Sequence, residues 1–308
     1  MTGSPFLSAA DDLRHRPMPG KRMRDSLFWE VILPEEQIGL QIYLHLTGSG
    51  RIGYNVVIWG SDPRLHRAFL GSDTLPDSAD LDDVHFDGLT VRQPDPLQTA
   101  TVLFQREDLA IEYRFNAVHP AFSYHANPDG LPNWFAENRL EQSGWVTGLI
   151  TVGERHVELN HMGHRDHSWG VRDWNAPQHW KWFVAYTPHR TAVNGWIWIA
   201  KGEWGFGGYV TKGGRNIAIA RIDHRAEYDQ RMNQRSLYAT VVDIDGGRTT
   251  VALDAFDVVQ LPSQEPMKTV IREAACFATI DGVSGAGQFE THWVGSYLAH
   301  LEKVAKSE

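Results

Sequence analysis

Short runs of apolar and aromatic residues follow one another along most of the chain, and turn-forming residues separate them. In the first half such runs cover residues 26–33, 39–46, 52–59, 89–93, 99–105, 110–117, 144–152 and 155–159. In the second half they cover residues 180–186, 195–200, 207–211, 217–223, 237–244, 249–253, 267–280 and 287–298. Runs of this length and composition predict β-strands.

The spacing within the runs supports the same conclusion. From Trp180 to Tyr186 large apolar side chains recur at every second residue, which is the period of a strand. Only residues 296–306 show a helical pattern. Residues 62–87 and 119–138 are polar and interrupted by proline, and we expect long loops there. Many short strands without alternating helices predict an all-β fold, a sandwich or a barrel, with a short C-terminal helix.

Two segments share a pattern that divides the chain into two halves. Residues 163–169 read Gly-His-Arg-Asp-His-Ser-Trp, and residues 287–293 read Gly-Gln-Phe-Glu-Thr-His-Trp. In both, glycine is followed three residues later by an acid and three residues after that by tryptophan. We interpret the segments as the terminal strands of two tandem β domains. The predicted division is an N-terminal arm at residues 1–27 and domains at residues 28–165 and 166–308.

The charge of the chain limits its partners. The 308 residues carry a formal net charge of −9, which argues against nucleic acids and anionic membrane surfaces. No apolar run is long enough for a spanning helix, so we predict no transmembrane segment. The N-terminal region lacks the pattern of a secretory signal, and the single cysteine, Cys276, is interpreted as a small buried residue. We therefore expect a cytoplasmic protein, with a homodimer as one option for its assembly.

Residues 158–174 concentrate the side chains that could carry chemistry. In a strand, Asp166 would face one side, and His167 and Trp169 would face the other. An apolar pocket would raise the pKa of Asp166 and allow it to act as a general acid, whereas a pair with Arg172 would keep it ionised. His167 could act as an acid, a base or an orienting group near neutral pH. The alternative is that these residues join two domains through buried hydrogen bonds.

Three further acids lie next to apolar or aromatic residues. Glu30 lies within an apolar run, Glu141 precedes a Gly-Trp pair, and Glu290 occupies the position of Asp166 in the second copy of the repeat. An acid in such a strand either faces solvent or is a buried functional group. We treat all three as candidate catalytic residues.

The sequence gives little support for a metal or a cofactor. His161, His164, Asp166 and His167 are potential ligands, but their spacing matches no helix-borne zinc motif. Strand alternation would also separate residues 161 and 167 from residues 164 and 166. No nucleophile elbow, phosphate loop or dinucleotide fingerprint is present. We therefore predict neither a metal site nor a cofactor.

Residues 163–172, Gly-His-Arg-Asp-His-Ser-Trp-Gly-Val-Arg, resemble the signature of a superfamily of tandem lipocalin-like (calycin) proteins. This superfamily contains the carotenoid 1,2-hydratases, also called hydroxyneurosporene synthases, and the AttH-like proteins. Weaker support comes from Phe28-Trp29-Glu30, from Glu141-Gln142-Ser143-Gly144 with Gly148, and from Gly285-x-Gly287-x-x-Glu290. Together these pieces lie across residues 28–293.

The resemblance implies two lipocalin-like β-barrel or sandwich domains with a hydrophobic cavity at or near their junction. It also implies cofactor-independent chemistry on isoprenoid or polyketide-like substrates. In the hydratases an acid is thought to protonate a terminal alkene, and water then captures the cation. The positions that match the signature are Asp166, His167, Trp169 and Arg172.

Our leading hypothesis is an enzyme that performs acid-initiated hydration, isomerisation or cyclisation of a hydrophobic small molecule with an alkene. One alternative is a non-catalytic carrier of lipids or terpenoids, because barrels of this type hold ligands readily. Another is a metal-dependent enzyme built on His161 and His164. The candidate catalytic residues are Asp166, His167, Glu30, Glu141 and Glu290. The candidate substrate-binding residues are Trp169, Arg172, Trp174 and His164.

Overall fold

The computed structural model describes residues 6–17, 22–262 and 269–306. Its regular structure is almost entirely β, followed by one short helix at the C-terminal end, which confirms the predicted fold class. The strands form two separate antiparallel sheets that follow one another along the chain. The fold is therefore two tandem lipocalin-like β domains.

The first sheet has eleven strands. They are β1 Arg24–Leu33, β2 Ile38–Thr47, β3 Arg51–Gly60, β4 Arg67–Thr74, β5 Asp83–Phe86, β6 Leu89–Asp95, β7 Thr99–Arg106, β8 Leu109–Ala117, β9 Phe122–Ser123, β10 Asn138–Val152 and β11 Arg155–Gly170. The spatial order is β4-β3-β2-β1-β11-β10-β8-β7-β6-β5, with β9 beside β10. The edge strand β4 is also held to the other end of the sheet, since Arg106 at the end of β7 donates to the carbonyl of Leu70 over 3.0 Å.

The second sheet is a closed barrel of eight strands in sequence order. They are β12 Pro177–Tyr186, β13 Ala192–Ala200, β14 Glu203–Lys212, β15 Arg215–Tyr228, β16 Gln234–Asp243, β17 Arg248–Gln260, β18 Thr269–Ile280 and β19 Val283–Val294. Helix α1, Gly295–Ala305, follows the last strand. Among the described residues, no helix has the length and apolar character needed to cross a membrane.

The prediction of long loops was wrong in part. Strands β4 and β5 lie within residues 62–87, and the short strand β9 lies within residues 119–138. Strand β4 is an edge strand in which only Phe69 is buried, so its sequence lacks the apolar alternation that marks the inner strands.

Each domain has its own filled interior. In the first sheet every second residue of β1, including Leu27, Trp29 and Val31, joins a large apolar cluster with side chains of β2, β3, β8 and β11. In the barrel a second cluster contains Phe183 and Phe289 together with aliphatic side chains of the other strands. Burial of these side chains is the main stabilising contribution to each domain.

A third apolar cluster lies between the domains. It contains the stripe Trp180, Trp182, Val184 and Tyr186, which lies on the outside of the barrel and faces the first sheet. The hydroxyl of Tyr186 accepts a hydrogen bond from the backbone N–H of Ile32 over 3.0 Å. The outer faces of both sheets are therefore buried at the junction, which explains why nearly every residue of β1 is buried.

The first sheet ends with β11, and the barrel begins with β12. The predicted division between residues 165 and 166 falls inside β11, which continues to Gly170, and the barrel begins at Pro177. We propose residues 171–176 as the link. Part of the predicted N-terminal arm belongs to the first domain, because residues 24–27 lie in β1 and Asp12 forms a buried ion pair with Arg165 at 2.9 Å.

Candidate functional site

A pocket opens at the domain junction, where the resemblance places a cavity. Its first wall is the outer face of β1, β2, β3, β10 and β11, and its second wall is the outer face of the barrel at β12, β18 and β19. The cavity volume is about 150 Å³, and the cavity opens to solvent. The aromatic lining consists of Phe28, Phe135, Trp174, Trp180 and Trp182. This lining suits the apolar part of a small molecule.

Strand alternation decides which residues of β11 reach the pocket. Asp166 and Ser168 line it, as expected for one strand face. His167 and Trp169 lie on the opposite face, where His167 contacts Asp25 and Trp169 stacks on His15 at a centroid distance of 4.0 Å. His167 and Trp169 therefore do not share a site with Asp166.

Asp166 is paired with an arginine, but not with the arginine predicted from the sequence. Its Oδ2 accepts a hydrogen bond from Arg139 over 2.6 Å, and Arg139 also lies 2.6 Å from Glu141. Burial raises the pKa of Asp166, although the Arg139 guanidinium opposes that shift. Arg172 instead donates to Ser168 and to the carbonyl of Phe135, because the backbone turns at Gly170 with a φ of 118°.

Arg139 lies at the centre of the junction. Its guanidinium carbon is within 6.0 Å of the ring centres of Tyr124, Phe135, Trp182 and Trp196. Two carboxylates and four aromatic faces thus surround one buried cation, an arrangement that favours the guanidinium in a desolvated site.

Glu141 is fully buried behind the pocket wall. One carboxylate oxygen lies 2.5 Å from Nε2 of His164, and the other accepts the indole N–H of Trp182 over 3.1 Å. Burial raises the pKa of Glu141 to about 7, and burial lowers the pKa of His164 to about 3. Neither Glu141 nor His164 lines the pocket, so His164 supports the wall instead of binding substrate.

Glu290 lines the pocket opposite Asp166, and a second glutamate lies directly behind it. Glu273 is its cross-strand neighbour on β18, so both side chains lie on the same face of the sheet. Glu290 also accepts the indole N–H of Trp180. Burial raises the pKa of both groups; the neighbouring Glu290 raises the pKa of Glu273 further, whereas Glu273 lowers the pKa of Glu290. The pair therefore retains a proton beside the pocket.

Glu30 is buried at the junction but does not reach the pocket. Its Oε2 accepts the hydroxyl proton of Tyr186 over 3.1 Å, and burial raises its pKa well above the ordinary value. Its Oε1 has no hydrogen-bond partner among the described residues. Burial therefore favours the neutral form of Glu30, whose hydrogen bond with Tyr186 links the two domains.

One protein family matches most of the chain. A family profile described as "Domain of unknown function (DUF7064)" matches residues 8–295. The chain belongs to the DUF7064 family. No protein in the curated set matches the chain at a significant level.

Solved structures show that the DUF7064 fold is shared more widely. A protein assigned as AttH from Nitrosomonas europaea matches at a TM-score of 0.65 and 14% identity, covering 91% of this chain and 98% of that one. Kievitone hydratase from Nectria haematococca matches at 0.62 and 10% identity, with 94% and 92% covered. CghA matches at 0.58 and 12% identity, with 89% of each chain covered. The predicted likeness to AttH-like proteins is confirmed for the fold.

The candidate metal ligands in this DUF7064 protein do not converge. The ring of His161 donates to the carbonyl of Met162 over 2.9 Å, while His164 lies between Ser143 and Glu141. A different trio, His15, Asp25 and His167, has ligand atoms within 4.8 Å of one another. The carboxylate of Asp25 already binds both imidazoles, at 2.8 and 3.2 Å. The three side chains therefore form a charged hydrogen-bond network.

Two residues of the site were missed by the sequence analysis. Arg139 stands two residues before Glu141, and this spacing places both side chains on one face of a strand, so an ion pair could have been inferred. Glu273 gives no comparable signal, because its pairing with Glu290 depends on the register between β18 and β19.

Proposed function

We propose that this protein is an acid–base enzyme that protonates an alkene in a hydrophobic small molecule bound at the domain junction. Acid-initiated hydration, isomerisation and cyclisation all begin with this proton transfer. The observation that carries the proposal is the Glu273–Glu290 pair, which keeps a carboxylic acid at the surface of an aromatic-lined pocket.

Glu290 is the proposed proton donor. Transfer of its proton to one alkene carbon leaves a carbocation at the other carbon and a carboxylate on Glu290. The indole N–H of Trp180 then stabilises that carboxylate by donating a hydrogen bond to it. A nearby carboxylic acid with a raised pKa is suited to this role, because its proton is available near neutral pH.

The opposite wall supplies a base. Asp166 lines the same pocket and is held by Arg139 over 2.6 Å, which fixes the direction of its carboxylate. In hydration it would accept a proton from the attacking water, and in isomerisation or cyclisation it would accept a proton from carbon. The π faces of Trp174 and Trp182 would stabilise the intermediate cation.

The names of two structural relatives support the proposed class of reaction. One of them is by name a hydratase, and another, CghA, has been crystallised with Sch210972. Identities of 10–14% carry the fold alone, so the reaction and the substrate of this protein are inferred from its own pocket.

The test is deuterium incorporation. Purified protein is incubated in D₂O with a panel of hydrophobic alkenes, including prenylated phenols and polyenes, and products are analysed by mass spectrometry. The expected result is a new C–D bond in a product, with the added mass of water if the reaction is hydration. The Glu290→Gln variant should lose about 100-fold or more of this activity and still bind the compound.

The control is Glu158→Gln, which changes an exposed carboxylate of β11. If the wild-type protein binds panel members in the pocket but never forms a C–D bond, the protein is a carrier and not an enzyme. If Asp166→Asn abolishes activity while Glu290→Gln does not, the acid is Asp166.

A further inference from the structure

A polar groove continues from the junction pocket along the outer face of the first sheet. It is lined by β1, β2, β3 and β4 and by the turn between β5 and β6. Arg24 and Leu70 line both the pocket and the groove, so the two spaces share a border. A molecule seated among the pocket tryptophans could therefore extend into the groove.

Positive charge dominates the groove. Three arginines line it, and one of them, Arg106, pairs with Asp87 at 3.1 Å. In the described part of the chain, no carboxylate lies within 4.0 Å of the other two, Arg24 and Arg51, although the whole protein carries a net charge of −9. Uncompensated guanidinium groups in a concave site are typical of an anion-binding surface.

Polar atoms beside these arginines are also available to bind an anion. Nε of Arg24 is buried without a hydrogen-bond partner among the described residues, as is Nδ1 of His45. Burial and the charges of Arg24 and Arg51 lower the pKa of His45 to about 3, so its ring is neutral and can donate one hydrogen bond. Hydroxyl groups of Thr47 and Ser49 stand at the rim.

We propose that the ligand of the junction pocket is amphipathic, with an apolar body between the tryptophans and an anionic tail, a carboxylate or a phosphate, bound by Arg24 and Arg51. This inference names the substrate class of the proposed enzyme. It rests on the proposed function only in taking the junction pocket as the place where the substrate binds. The anion would fix the direction of the substrate, so that its alkene lies between Glu290 and Asp166.

The experiment compares three probes with one alkyl chain: decanoate, decyl phosphate and decanol. Isothermal titration calorimetry measures their affinities for the whole protein. We expect at least one anion to bind about tenfold or more tightly than decanol, since an anion accepts charge-assisted hydrogen bonds from guanidinium groups and an alcohol does not. The tighter of the two anions identifies the tail, and added salt should reduce the preference.

Substitution locates the effect. Arg51→Gln and Arg24→Gln should each lower the ratio of anion to alcohol affinity several-fold, whereas Arg92→Gln, at an exposed site of the same domain, should leave the ratio unchanged. Arg51 is exposed, so its variant is expected to fold even if the Arg24 variant does not. Equal affinity for decanol and both anions, or a preference that survives Arg51→Gln, would overturn the inference. Neither result bears on deuterium transfer by Glu290, which the earlier experiment measures separately.

Discussion

Glu273 and Glu290 are direct cross-strand partners on β18 and β19, and burial at the edge of the junction pocket raises the pKa of both carboxyl groups. Two carboxylates this close cannot both ionise without strong repulsion, so one proton is retained between them. Loss of this proton would therefore both destabilise the barrel wall and remove the acid needed for the proposed reaction. Strand register alone creates this pair, because the two residues are far apart in the sequence.

Glu273→Gln should make the protein less sensitive to alkaline pH. A carboxyl group whose pKa is raised in the folded state contributes stability below the ordinary value of 4.5 and loses it as pH rises through the folded pKa. Glutamine has nearly the same size but cannot ionise. The melting temperature, measured from about pH 5 to pH 9, should therefore fall more steeply with rising pH for the wild type than for the variant.

The matched control for this prediction is Glu158→Gln, at an exposed position of β11. Its unfolding curve should run parallel to that of the wild type over the whole pH range. Parallel curves for Glu273→Gln as well would show that Glu273 is ionised in the folded protein, contrary to the shared proton described above.

Arg139→Met should destabilise the protein by about 3–5 kcal/mol, because it leaves Asp166 and Glu141 without their shared counter-charge in a buried site. Urea unfolding measures this cost. Adding Glu141→Gln and Asp166→Asn to the variant should restore much of the loss, since the buried charges are then gone. Arg225→Gln, which breaks a surface pair, should have no measurable effect. A cost below about 1 kcal/mol would show that the charges are already neutralised by protonation.

The sequence predicted the alternation of β11 correctly but could not say which face meets a pocket. In a half-buried strand, polar residues mark the solvent side. Here both faces are buried, one by the interior of the first sheet and one by the barrel, so Asp166 and His167 look equally functional in sequence. The repeat, in contrast, was informative, because Asp166 and Glu290 occupy equivalent strands and line opposite walls of one pocket.

His167→Gln should loosen the N-terminal segment most at neutral and acidic pH. Burial disfavours the imidazolium, but the carboxylates of Asp12 and Asp25 raise the pKa of His167 to about 9. Its stabilising contribution is therefore complete below the ordinary value of 6.5 and is lost as pH rises through about 9. The difference in melting temperature between wild type and variant should shrink over that window.

Limited proteolysis provides a second readout for the same variant, because Asp12 and His15 belong to the network around His167. Cleavage within residues 13–17 should be faster in His167→Gln than in the wild type below about pH 7. His156→Gln, at an exposed position of the same strand, serves as the control. Equal cleavage rates in all three proteins would mean that His167 does not hold the segment.

Gly148→Ala should be among the most damaging single substitutions in the first domain. Gly148 lies in β10 with a φ of 142°, and an added Cβ would stand 1.8 Å from the carbonyl oxygen of Glu112 on β8. Both the backbone conformation and the neighbouring backbone exclude a side chain, so we expect a loss of more than about 2 kcal/mol in urea unfolding. Gly153 also has a positive φ, 58°, but no atom lies within 4 Å of its added Cβ. Gly153→Ala should therefore cost only about 1 kcal/mol, and equal costs at the two sites would show that φ, not the contact with Glu112, sets the penalty.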